Sequence, residues 1–189
     1  GQVSTSVVYS YLRILVLALG YFLNGYLVIG GESLFFFVEK PEKLSYTYEV
    51  RSSEAVGSRF PSSPLKNVVL KYAEPPNACT PILPVLEVAV LIERGECSFA
   101  TKALHASNAG ARVALITDSA SESERWIEMI GDGTTRKSDI PVAFLPGISG
   151  RRIRDYLLYG DGEVKITIPL NFSSFDVEML RSKPPWELW

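Results

Sequence analysis

Residues 92–105, IERGECSFATKALH, hold one of two cysteines, Cys97, and the only histidine, His105. A thiolate beside an imidazole base is the minimum for cysteine nucleophilic catalysis, and it requires the two groups about 3 Å apart. The same stretch reads as a helix from Ser98. Ser98 is a good N-cap, Phe99, Ala103, Ala106 and Gly110 recur at helical spacing, and Gly110 is a stop signal. At ~1.5 Å of rise per residue such a helix separates Cys97 from His105 by roughly 12 Å. Within the expected helix the dyad therefore fails, and the remaining alternative of a cysteine-dependent hydrolase requires that helix to be absent and Cys97 to be a free thiol.

Other catalytic patterns are missing from the sequence as well. One histidine cannot build a His-rich zinc site, and there is no HExxH, no GxSxG and no Gly-rich phosphate loop ending in Lys-Ser/Thr. Glu122 and Glu124 stand in a Ser-rich stretch and read as solubilising charge. The expectation is a non-enzyme without cofactor or metal.

The 189 residues, 47% hydrophobic and 21% charged, fit one globular domain with extensions. The net charge of −2 carries no cationic excess, and Arg151, Arg152 and Arg154 make only a local cluster, so a nucleic-acid footprint is not supported. Residues 12–29, LRILVLALGYFLNGYLVI, are apolar and precede Gly30-Gly31. They read as the core of a signal peptide spanning residues 1–30, with cleavage after Gly20, Gly25 or Gly30. The alternative is a signal anchor, against which Asn24, the glycines, Tyr21 and Tyr26 speak. The leader implies secretion through the endoplasmic reticulum and no membrane attachment after cleavage.

Secretion gives the cysteines a different reading. An even count in an oxidising compartment is most simply one disulfide, Cys79–Cys97. A loop of about 18 residues makes it worth on the order of 3 kcal/mol. Asn171-Phe-Ser is an N-glycosylation acceptor placed after the last expected strand.

Strands are expected at 33–38, 45–50, 68–73, 88–92, 112–117, 140–145 and 163–170. Helices are expected at 98–109 and from an N-cap at Ser149 to Gly160, with Ile153, Tyr156 and Leu157 as the second helix's apolar stripe. Strand, helix and strand over 88–117 make a parallel crossover. Residues 51–67 read as a linker.

The run VAVLIERGECSFATKALHASNAGARVALITD, followed by IPVAFLPGISGRRIRDYL, resembles the protease-associated (PA) domain family over roughly residues 66–170. The AEPPNAC lead-in, the sequon and the PPWELW end resemble a branch of small secreted PA glycoproteins. The resemblance implies an α+β, swivelling β/β/α single domain, its sheet core flanked by two helices. It also implies a module that binds a protein or peptide rather than catalysing. PA domains occur inserted in subtilisin-like and zinc peptidases, sorting receptors and membrane ubiquitin ligases, so a tethered or sorting-receptor-like luminal domain is the alternative. The organisation expected is 1–30 leader, 31–65 N-terminal strands and linker, 66–170 PA domain and 171–189 aromatic tail.

Three residues stand out as candidate partner contacts. Trp126 and Met129 lie in the polar excursion 119–137, where aromatic and Met side chains suit an interface, while Ile127 and Ile130 are expected to pack inward. Arg94, in the turn beside Gly95, is the third. Lys102 is expected to face solvent and His105 to be half-exposed. Arg151 and Arg152 stand in the first turn of a helix, where the dipole disfavours cations, which leaves open either a carboxylate or other partner or an uncompensated cost of ~0.3–1 kcal/mol. The two tryptophans of the C-terminal segment 183–189, KPPWELW, argue that the tail docks onto the body.

Overall fold

Residues 31–170 and 182–187 are described by a computed structural model. The leader and its cleavage points, Asn171 and Trp189 lie outside these residues.

Seven strands form a closed barrel: β1 (Ser33–Lys40), β2 (Thr47–Ser52), β3 (Leu65–Tyr72), β4 (Ala89–Glu93), β5 (Val113–Thr117), β6 (Val142–Leu145) and β7 (Val164–Ile168). Round the barrel the order is β1-β2-β6-β5-β4-β3-β7. The run β3, β4, β5, β6 is parallel, whereas β1 and β7 pair antiparallel with their neighbours. Closure leaves no long free sheet edge. Strands from residues 33–52 thus belong to the same sheet as those from the resembling segment.

Helix α1 (Phe99–Asn108) connects β4 to β5, and α2 (Gly147–Tyr159) connects β6 to β7. The alternation of side chains along each strand divides the core into two layers. Ala89 and Leu91 of β4 and Val113 and Leu115 of β5 point into the barrel, which α2 closes with Ile153. Val90, Ile92, Ala114 and Ile116 point the other way, towards Ala103 and Ala106 of α1. Burial on both faces explains why these strands read as continuous apolar runs.

Ser98 caps α1, its hydroxyl accepting from the Thr101 amide at 3.1 Å. Gly110 ends the helix region at φ +89°, and a Cβ there would stand 2.5 Å from Leu86. Ser149 is not the N-cap of α2. That helix begins two residues earlier, after Pro146, whose φ of −53° suits a helix entry. The glycine at 147 lets the first turn press against the Asp118 carbonyl, 2.1 Å from where a Cβ would be. Ser149 is consequently inside the helix and wholly buried.

Candidate functional site: the disulfide-pinned loop after β4

Cys79 and Cys97 are joined in a disulfide with Cα atoms 5.6 Å apart. The loop it closes onto, Arg94–Cys97, is tied from several directions. The Glu93 amide donates to the Pro76 carbonyl and the Arg94 amide to the Thr117 carbonyl, each at 2.8 Å. Gly95 takes φ +108°, a conformation that side chains resist, and the Cys97 amide donates back to its carbonyl at 2.9 Å.

Lys102 supplies the clamp beneath. Against expectation its side chain is fully buried. It lies one helical turn from Ala106 and follows Phe99 by three, on the face α1 turns inward. Its ammonium donates to the Asn77 carbonyl at 2.5 Å and the Gly95 carbonyl at 2.7 Å, joining both limbs of the disulfide loop. Burial pulls the Lys102 pKa below its ordinary value, with Glu96 and then Glu93 acting against that pull.

The loop presents charge outward. Arg94, its side chain 42% exposed, pairs with Asp118 at 2.9 Å, and Asn77 donates to Glu96 at 2.5 Å. Asp132 accepts from Ser98 at 3.1 Å, as well as from Thr134 and Arg136. Those hydrogen bonds, Thr134's first, bring the Asp132 pKa down to about 2.

His105 is half-exposed, and its Nδ1–H donates to the Ala78 carbonyl at 2.7 Å. The thiol of Cys97 is spent in the disulfide and the imidazole braces the opposite limb of the loop. Among the described residues no group of three His, Cys, Asp or Glu side chains is arranged to hold a metal ion.

At the C-terminal ends of β3 and β4, Glu93 accepts from Tyr72 at 3.0 Å and Ser119 at 2.6 Å. Arg154 of α2 donates to Ser119 at 2.8 Å and to Asp155 at 2.6 Å. Burial, then Glu93, pushes the Tyr72 phenol far above its ordinary range. This network ties α2 to the strand from which the Arg94 loop springs.

The excursion after β5 corrects two expectations. Met129 is not a surface contact: it is 4% exposed and packs in the layer beneath α1, while Ile130, expected inside, is 66% exposed. The Ser53 hydroxyl donates to the Met129 carbonyl at 2.6 Å, fixing the backbone where Met129 turns inward. Residues 122–132 form no regular element, so no periodicity could assign their faces. Ile127 is half-buried against the same layer. Trp126 is half-buried too, with the Arg51 guanidinium over its ring at 4.2 Å. Arg151 has its partner in Glu122, at 3.0 Å.

The seven-stranded barrel with two helices and this Arg-Gly-Glu-Cys loop define the class. Residues 65–153 match the PA domain profile. A PRADC1-like protein of Drosophila melanogaster is 39% identical over 169 residues, 86% of this chain and 85% of that protein. The chain belongs to the PA-domain family. The human E3 ubiquitin-protein ligase RNF13 is 31% identical over 60% of this chain, which spans 31% of that ligase. Among solved structures, a peptidase M28 precursor from Shewanella amazonensis shares the fold at a TM-score of 0.52 and 12% identity over 73% of this chain. A zinc aminopeptidase from Bacillus subtilis does so at 0.50 and 16% over 74%. The chain spans about a third of those two peptidase chains, 34% and 30% respectively.

Proposed function

We propose that this protein is a secreted, N-glycosylated and non-enzymatic PA-domain module that binds a protein or peptide, with Arg94 and Trp126 in contact with the partner and Asn171 carrying the glycan. The observation that carries the reading is the Arg94–Cys97 loop, held by a disulfide, a buried ammonium and two backbone bonds to neighbouring segments, yet presenting exposed charge. Prior rigidity lowers the ordering cost of binding, which is what a recognition loop needs. The commitment of Cys97 to a disulfide and of His105 to a carbonyl supports a role without covalent catalysis. The disulfide also supports an oxidising compartment.

Two measurements test the proposal. The intact mass of protein recovered from the medium of eukaryotic cells, before and after glycan removal, should show loss of the leader and a glycan at Asn171. Protein absent from the medium with its leader retained would favour a tethered luminal domain instead. Arg94→Ala should reduce capture of the extracellular partner by about tenfold, the size of one contact of ~1.4 kcal/mol, while its lost pairing with Asp118 lowers stability by no more than about 1 kcal/mol. Unchanged capture would remove this loop from the interface.

A further inference from the structure

Residues Ser182–Glu187 lie in a cleft between the start of β2 and the N-terminal half of α2. β2 pairs with β6 only through Arg51 and Ser52. Beyond that pairing, the Thr47 amide donates to the Ser182 carbonyl at 2.9 Å. Pro184 is buried. The Trp186 indole meets Tyr46 edge-on, ring centroids 5.3 Å apart at 82°. The guanidinium of Arg152 lies over the indole at 4.5 Å. The indole N–H donates to Ser149 Oγ at 3.1 Å, and that fully buried hydroxyl donates in turn to the Glu187 carboxylate.

Each of these contacts belongs to the repertoire of peptide grooves. A strand-edge amide takes the peptide backbone at Ser182, prolines pre-set the 3-10 turn of Pro185–Glu187, an aromatic side chain anchors it, and a cation and a buried hydroxyl read that anchor. Cover for an apolar surface would need none of the polar contacts. We propose that this cleft is a peptide-recognition site for a segment that turns at a proline preceding tryptophan and carries a hydrogen-bond-accepting side chain after it, and that the chain's own tail fills it in cis. The inference rests on the binding-module reading and adds a second recognition surface to the Arg94 loop. A partner bearing the same chemistry must displace the tail. A tethered segment competes at an effective concentration of about millimolar order, enough to mask weak binding in trans.

The test uses the full chain with Trp186→Ala and a fluorescein-labelled Ser-Lys-Pro-Pro-Trp-Glu peptide, followed by anisotropy. The variant should bind the peptide at least about tenfold more tightly than the wild type, whose tail competes. A peptide with Ala in place of Trp should not bind. Adding Arg152→Ala to the variant should weaken binding by about tenfold, the loss of one partly desolvated cation–π contact. If Trp186→Ala does not fold, Trp186→Phe, which lacks the N–H that Ser149 reads, should show the same ordering at about threefold. A folded variant that leaves the peptide unbound, or binding that ignores Arg152→Ala, would overturn the proposal. Capture through the Arg94 loop is measured on the same preparations. Peptide failure with capture intact sinks the cleft alone, whereas failure of Arg94-dependent capture counts against the module reading at that loop.

Discussion

Lys102 shows how far single residues could be read from their types. A lysine within an alanine stripe reads as solvent-facing because burying an ammonium is costly, yet two carbonyls contributed by distant segments meet it inside. The clue was its spacing from Phe99 and Ala106; the compensating acceptors sit in loops whose course no periodicity reveals. Cys79, Cys97 and His105 were more legible, since helix geometry and cysteine count act locally. Met129 and Ile130 were not, because their orientation follows from one hydroxyl, Ser53, far away in sequence. Lys102→Met removes the ammonium donor from the Asn77 carbonyl and leaves the Gly95 carbonyl only its bond from the Cys97 amide. Denaturant titration should then record a loss of about 2–4 kcal/mol. A neutral result would mean that water replaces the ammonium there.

Elements were read more securely than residues. The apolar runs over 88–92 and 112–117 became adjacent parallel strands joined by α1, because burial on both faces demands continuous hydrophobicity. The antiparallel closure through β1 and β7 was not legible, since pairings such as Val38 with Ile166 join distant parts of the chain. Two predictions belong to this scale. The α2 helix approaches β5 so closely at Gly150 that a Cβ there would lie 1.8 Å from Thr117 Oγ1. Gly150→Ala must therefore push the helix off the strand, costing about 1–3 kcal/mol in spite of alanine's better helix propensity, as thermal unfolding will show. The Cys79–Cys97 link closes a separation of 18 residues. Replacing both cysteines with serine should cost about 3 kcal/mol in denaturant titration, and reductant should then no longer affect stability.

At the scale of the whole molecule the C-terminal segment binds back to the start of β2. The two tryptophans of KPPWELW pointed to docking; only the fold could supply the cleft, because Trp186 meets side chains contributed by β2, the residue before it, and α2. Docking carries a charge into partly buried surroundings. Burial raises the Glu187 pKa, with Glu124 and Glu49 adding to it, while the Ser149 hydrogen bond and Lys183 act the other way. The net shift is upward, so the docked tail favours the protonated acid. Its contribution is fully present below the unfolded carboxylate pKa of ~4.3 and is lost as pH rises through the higher folded value. A neutral amide of the same shape avoids that loss and still accepts from Ser149. Glu187→Gln should accordingly be the more stable protein at pH 7, with its advantage shrinking towards pH 5, as paired denaturant titrations of the two proteins at each pH would register. The comparison cancels the titration of every other group. A variant less stable than wild type at pH 7 would show instead that the Ser149 and Lys183 contacts outweigh burial, and that the cleft selects a charged carboxylate.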